Sequence, residues 1–366
     1  MKELLRNPFT PTFGSIPLRI AGRDDIIRDI LDGLNNGPGD PNRATIFVGA
    51  RGTGKTVLLA KIAEEASANG WVSVNVNAAS DMLDEILVQI SENAKEFLTP
   101  ESLSKITAIS VAGVGISRKI KDSSTKTTWR SEMTAIIKEL NEQGVGLLIT
   151  IDELDAGIEE LRTVITAFQH FVRERREVAL LMAGLPPKVS ILLRNDSVSF
   201  LRRAFQHYLG AIDESEVRFS MRKTIELAGR TIEDNALNIA VENAKGFPFM
   251  IQLIGYQMWR QNPDKKSISM EDAKEGIILA QSDLERMIFE ATYRELSDKD
   301  LSFLVSMLED DTYSNLSDVA TRMNVNSKYA GMYRKRLIEQ GLIESVGHGK
   351  VAFSMPMFRE YIQSKV

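Results

Sequence analysis

Eight consecutive residues carry the spacing of a phosphate cradle: Gly49, Ala50, Arg51, Gly52, Thr53, Gly54, Lys55 and Thr56. They fit the pattern G-x-x-x-x-G-K-[ST]. A phosphate chain presents dense negative charge and many acceptors. Backbone N–H groups can surround it only where glycines let the loop curl without Cβ clashes. A helix opening directly after the loop offers its free N–H groups and the positive end of its dipole. In such a loop Lys55 reaches the β- and γ-phosphates, and the Thr56 hydroxyl ligates Mg²⁺. The expected nucleotide contacts run from Gly49 through Val57. The apolar run Thr45–Val48 before the loop and the helical spacing of Val57–Ser67 after it supply the required strand and helix.

A second element supplies acid. Gly146 to Glu153 reads as an apolar strand ending in two carboxylates, Asp152 and Glu153. The first acid is expected to hold Mg²⁺ beside Thr56. The second is expected to orient and deprotonate an attacking water. The bland alternative is an acidic strand end that caps the next helix, with Asp155 as the cap.

The surrounding chain must hold these residues. Short apolar runs at Thr45–Val48, Val72–Val76, Val145–Ile151, Val178–Ala183 and Tyr208–Ile212 are nearly continuous, as in parallel strands covered on both faces. Between them, Val57–Ser67, Met82–Phe97, Arg130–Leu140 and Leu161–Val172 carry helical spacing. The alternation predicts a three-layer α/β domain over 44–213, after an approach segment over 1–43 that includes a short helix at Asp24–Leu34. Ile106–Ile116 breaks the pattern and suggests a hairpin or flap. From 214 to 295 the pattern is all-helical, with helices at Met221–Ala228, Asn235–Ala244, Met250–Trp259 and Ala273–Tyr293. From 296 to 366 three helical patterns, Asp300–Leu308, Leu316–Met323 and Tyr329–Gln340, precede a hairpin across Gly347-His348-Gly349-Lys350, the order of a winged helix-turn-helix.

Composition excludes several classes. The chain has no cysteine, so thiolate nucleophiles, disulfides and cysteine zinc sites are out. Its three histidines stand far apart, outside any metal or triad spacing. No apolar run reaches the roughly 18 residues of a membrane span. Met1–Phe13 has charges and two prolines rather than an apolar core, so it does not read as a signal peptide. A cytoplasmic location is therefore expected. The net charge of −5 means that any nucleic-acid contact must be local.

At the loop and the acidic strand the sequence resembles the AAA+ and STAND P-loop ATPases, most of all the origin-recognition-like branch. There a P-loop domain is followed by a helical lid and a winged helix. The resemblance covers about Pro17 to the C-terminus. It implies ATP with Mg²⁺ in the crevice between the P-loop domain and the lid. It also implies that Ile20-Ala21-Gly22-Arg23 packs by the adenine. Phe200-Leu201-Arg202-Arg203 stands where the family often carries an arginine finger, which would act on a neighbouring subunit's nucleotide. Gly246-Phe247-Pro248-Phe249 looks like the lid motif whose proline lies near the base. Two departures point away from a fast motor. Met182-Ala183-Gly184 ends the strand where a polar sensor is usual, and Phe249, Met250 and Ile251 stand where a second sensor arginine is usual.

The last unit is neutral, with nine Lys/Arg and nine Asp/Glu, but its charge is uneven. Lys328, Arg334, Lys335 and Arg336 face only Glu339 between 328 and 340, and Lys350 lies on the expected wing. A basic helix of this size fits the major groove of duplex DNA. Winged helices also serve as protein-contact domains, so a protein partner or a second copy of the chain stays open. The expected function is a slow ATPase that couples lid movement to DNA or partner engagement. The alternative is a nucleotide-gated signalling switch with little turnover. A P-loop kinase for a small molecule is a third reading, for which neither lid nor winged helix supplies an obvious acceptor site.

Overall fold

The computed structural model describes residues 5–12, 14–106, 129–355 and 357–366. By contact density the chain forms two compact units. One is Arg23–Gly49 with Lys55–Leu209; the other is Met1–Gly22 with Ala50–Gly54 and Gly210–Val366.

The first unit is built on five parallel strands: β1 (Ala44–Gly49), β2 (Trp71–Asn77), β3 (Gly146–Asp152), β4 (Val178–Gly184) and β5 (Phe205–Leu209), in the order β2-β3-β4-β1-β5. Helices α1 (Asp24–Asn35), α2 (Lys55–Ala68), α3 (Met82–Asn93), α4 (100–106), α5 (Trp129–Glu142), α6 (Glu159–Arg173) and α7 (Pro186–Arg194) join them. The central strands are buried throughout, β3 and β4 at every position. Apolar runs without polar alternation are what a sheet covered on both faces requires. Most of the expected hairpin or flap at Ile106–Ile116 lies outside the described residues; Ile106 itself is helical.

Two expectations for this unit shift. The last strand is Phe205–Leu209, not Tyr208–Ile212. Ile212 has left the sheet, and its N–H donates instead to the Gly246 carbonyl at 2.9 Å. Helix α7 is hidden in the sequence because Pro186-Pro187 reads as a break; proline at the first helical position instead starts a helix.

The second unit carries α8 (Glu214–Leu227), α9 (Asp234–Ala244), α10 (Pro248–Gln261) and α11 (Met270–Leu284). Ser269 and Asp272 form a reciprocal capping box at the start of α11. The long helix expected at Ala273–Tyr293 is divided: a π-helical turn, Glu285–Phe289, separates α11 from α12 (Glu290–Arg294). Then come α13 (Asp298–Met307), a short strand Ser314–Asn315, α14 (Leu316–Arg322), α15 (Ser327–Glu339), a hairpin of Ile343–Gly347 and Lys350–Phe353, and α16 (Phe358–Ser364). The three strands form one antiparallel sheet. The segments divided at 295/296 on sequence grounds share a single core, from Met221 and Leu253 through Phe289 to Phe303 and Ile362. The Phe289 ring lies 5.3 Å from that of Phe358. Residues 5–12 also join this core: Phe9 is buried, and a Cβ on Gly255 of α10 would stand 2.3 Å from its ring.

One ion pair here gives a pH prediction. Arg322 donates two hydrogen bonds to Asp310, at 2.5 and 2.9 Å. This holds the carboxyl down at about 2, against 3.8 for a free aspartate. The folded value is the lower one, so the contribution is full above the unfolded value and is lost as pH falls through 3.8 toward 2. With solvent screening it amounts to about 1 kcal/mol. Arg322→Leu is expected to lower stability more at pH 7 than near pH 2, where its bond to the Ser306 carbonyl is most of what remains, as read by urea unfolding at both pH values.

Candidate nucleotide-binding site

The loop from Gly49 to Thr56 leaves β1 and enters α2. Gly52 and Gly54 adopt φ of +76° and +86°, the left-handed region that side chains avoid. The Thr53 hydroxyl donates to the Ala50 carbonyl at 2.9 Å and closes the curl. Lys55 Nζ donates to the Gly49 carbonyl at 3.0 Å, so its ammonium is folded back over the loop. Arg51 and Thr56 are exposed, and Val57 is half-buried on the first turn of α2.

Phe247 and Pro248 lie against the tip of this loop. A Cβ on Gly52 would stand 2.3 Å from the ring of Phe247. A Cβ on Gly54 would lie 3.8 Å from Pro248, which opens α10. Sequence reasoning points to Pro248 and passes over Phe247. The phenylalanine's signal is its place within the same Gly-Phe-Pro-Phe run.

The Thr56 hydroxyl donates to the Asp152 carboxylate. Strand β3 places that carboxylate at its end, opposite Asn77 of β2, and the other Asp152 oxygen accepts the Glu153 N–H at 2.8 Å. A hydroxyl and a carboxylate in contact are hard oxygen donors, which suits Mg²⁺. Among the described residues no group of three or more His, Cys, Asp or Glu side chains could form a dedicated metal cage. Mg²⁺ typically takes one or two protein oxygens and completes its shell with phosphates and water.

Glu153 adopts φ of +53°, unusual for a residue with a side chain. Its side chain is exposed and makes no hydrogen bond or ion pair among the described residues. Among the described residues no hydrogen bond joins it to Asn77, the neighbouring strand end. Asp155 does not cap α6, which starts at Glu159 behind Ile158. Instead it pairs with Lys188 and accepts the Gly157 N–H at 2.9 Å, contacts that hold its carboxyl below the usual aspartate range.

The remaining candidates stand as follows. Arg23 precedes α1, half-buried, and desolvation lowers its guanidinium pKa. Arg202 is engaged: Nε donates to the Leu193 carbonyl at 2.8 Å, and a guanidinium nitrogen lies 3.6 Å from Asp196. Arg203 is exposed, with no ion pair among the described residues. Arg202 is thus less available to a neighbouring molecule than Arg203.

The basic helix α15 divides in the same way. Its sequence groups Arg336 with the candidate nucleic-acid contacts, but the guanidinium forks onto the buried Asp300 carboxylate and reaches Ser297 Oγ at 2.7 Å. A buried carboxylate needs that partner, so Arg336 is a structural residue. Arg334 donates to Ser345 Oγ at 2.8 Å on the neighbouring strand. Lys335 lies 78% exposed, 3.8 Å from Glu339, and Lys328 is exposed at the start of the helix. Lys350 Nζ sits 4.1 Å above the Tyr313 ring.

Residues 40–189 match the KAP family P-loop domain, and residues 286–362 match a domain of unknown function (DUF8462). In fold the chain is similar to the Walker-type ATPase of Pyrococcus abyssi, with a TM-score of 0.63 at 14% identity over 95% of this chain and 99% of that one. It is also similar to the ORC2 protein of Aeropyrum pernix in its ADP form, with a TM-score of 0.52 at 16% identity over 97% of each chain. The chain thus shares the fold of these P-loop ATPases, and residues 40–189 carry a P-loop domain. Cdc6p of Pyrobaculum aerophilum gives a TM-score of 0.50 at 16% identity, again over 97% of each chain. No curated protein matches the chain. The two apolar runs noted in the sequence are largely buried in the structure. Strand β4 ends in buried Ala183 and Gly184, and the first turn of α10 carries buried Met250 and Ile251. Among the described residues no helix is long and apolar enough to cross a membrane.

Proposed function

We propose that the protein binds Mg-ATP at Gly49–Val57 and hydrolyses it slowly, and that the change in nucleotide state alters how a C-terminal winged helix meets duplex DNA or a protein partner. The observation that carries this reading is the contact of Thr56 with Asp152, beside an exposed Glu153 whose carboxylate has no hydrogen bond or ion pair among the described residues. In the reaction Glu153 takes a proton from water as the water oxygen bonds to the γ-phosphorus. The bond from that phosphorus to the β–γ bridging oxygen breaks, and ADP and phosphate leave. Lys55 neutralises charge on the phosphate oxygens. Mg²⁺, when bound at Thr56 and Asp152, would screen the phosphate charge. Arg203 is the better of the two arginines to serve a neighbouring copy's nucleotide.

The shared core supports coupling to the C-terminus. Because α8 to α11 and the C-terminal elements pack as one body, a shift of α10 carries α15 with it. The switch alternative has its own support: β4 ends in Met182, Ala183 and Gly184 and α10 carries Phe249, Met250 and Ile251, apolar residues where the resemblance leads one to expect polar sensors. The location we propose is the cytoplasm.

Phosphate release from Mg-ATP, measured with and without duplex DNA, tests the proposal. Turnover that rises with DNA is expected. Tight ATP binding with none would sink hydrolysis and leave the switch. Replacing Lys328, Arg334 and Lys335 by Gln is expected to weaken DNA binding and to flatten its salt dependence by roughly one log unit for each phosphate no longer neutralised. Arg336→Met is expected to lower stability instead. Unchanged affinity and salt slope in the triple variant would remove the helix from any DNA interface.

A further inference from the structure

Glu153 belongs to a run of four residues in which the other three are fastened. The Asp152 carbonyl accepts the Ala78 N–H at 3.0 Å, and its carboxylate takes the Thr56 hydroxyl. The Leu154 N–H donates to the Ala183 carbonyl of β4 at 3.0 Å, and its side chain is 1% exposed. The Asp155 carboxylate holds Lys188 of α7. Glu153, in its left-handed conformation, is the exposed residue between two pins.

The pins are set by the junction of β4 and α7. A Cβ at Gly184 would stand 2.9 Å from Leu154 Cβ and 3.1 Å from Val189 Cγ2. Gly184 is not at positive φ, so it is needed for space rather than for backbone freedom. Both contacts are with firmly packed groups: Leu154 and Val189 are buried. A side chain at 184 therefore has to push Leu154 outward. With Asp152 tied into the sheet, that push rotates the one residue between them.

We propose that Gly184 and Lys188 are positioning residues for Glu153: together they hold Leu154 and Asp155 so that the intervening carboxylate projects to the nucleotide. The inference rests on the reading of Glu153 as the base that activates water. It gives the β4 terminus a steric role in place of the hydrogen bond that a polar sensor would make. A base must sit within a fraction of an ångström of its working position, and a misplacement of about 1 Å costs on the order of 100-fold in rate. The Mg²⁺ and phosphate contacts at Thr56 and Asp152 lie on the fixed side of the pin and keep their geometry.

The test uses Gly184→Ala and Lys188→Met, each alone and combined with Glu153→Gln, with kcat, KM and Mg-ATP affinity measured on the full chain. Gly184→Ala is expected to lower kcat roughly 10- to 100-fold, and Lys188→Met several-fold, with KM and affinity held within about threefold. Neither substitution should lower the residual rate of Glu153→Gln further. An equal loss in that background would show a general effect on the site and overturn the inference, as would an unchanged kcat in folded variants. Should Gly184→Ala fail to fold, Lys188→Met, whose side chain is 35% exposed, carries the same comparison. If the wild type releases no phosphate, the hydrolase reading fails separately, and crystal structures decide the positioning. A Glu153 carboxylate displaced in Gly184→Ala with Asp152 in place upholds it; an unmoved Glu153 overturns it.

Discussion

Glu153→Gln is expected to leave Mg-ATP affinity within about threefold of wild type and to lower single-turnover phosphate release by roughly 10²- to 10⁴-fold, the contribution of a positioned general base. The substitution preserves the shape of the side chain and removes only its capacity to take a proton. The contact of Thr56 with Asp152 and the fold of Lys55 over the loop involve no Glu153 side-chain atom, so nucleotide binding has no reason to change. The Glu153 N–H bond to Asp152 is a backbone contact and survives as well. A loss of kcat with KM and binding held is the mark of an interaction made only in the transition state. Turnover equal to wild type would sink Glu153 as the base. Loss of ATP binding together with turnover would mean that it holds the nucleotide or the metal rather than the water.

Much of this site could be read in the sequence because its chemistry is local. Gly49 to Thr56 is one uninterrupted loop, and the glycine spacing encodes the curl and the helix start together. Asp152 was legible because a nearly pure apolar run reads as a buried strand, and the acid at its end meets the Thr56 hydroxyl. What escaped is relational. Nothing near Phe247 says that its ring lies against Gly52, about 200 residues earlier in the chain. Lys188 and Asp155 look like ordinary surface charges until α7 brings them together. The composition of α15 marks Arg336 as one basic residue among four. Only the fold shows the buried Asp300 beneath it, which turns a ligand-facing charge into a structural one. Helix and strand boundaries failed where backbone partners decided them. Ile212 reads as strand, but the Gly246 carbonyl claims its N–H and ends β5 at Leu209.

That same junction gives the largest expected stability effect. Gly246 has φ of +69°, and a Cβ there would stand 2.4 Å from the Ile212 carbonyl oxygen and 2.8 Å from its nitrogen. Both contacts are backbone, so no side chain can swing aside. The left-handed conformation alone costs a residue with a Cβ about 1 kcal/mol. Parting the chains would also break the 2.9 Å bond from Ile212 to the Gly246 carbonyl, a further loss of about 1 kcal/mol with more for the buried carbonyl left unpaired. Gly246→Ala is therefore expected to destabilise the protein by about 3 kcal/mol, read as a lower urea midpoint at unchanged m-value. Phe247 follows directly, and moving it from Gly52 should also weaken ATP binding. Gly331→Ala is the matched control. It lies within α15, and no atom stands within 4 Å of the added Cβ. There alanine should gain about 0.5–1 kcal/mol by restricting the unfolded chain. The same substitution is thus predicted to act with opposite signs at two glycines. If Gly246→Ala is neutral, the approach of Ile212 to Gly246 is not a fixed feature of the lid, and Phe247 is not held on the loop by it.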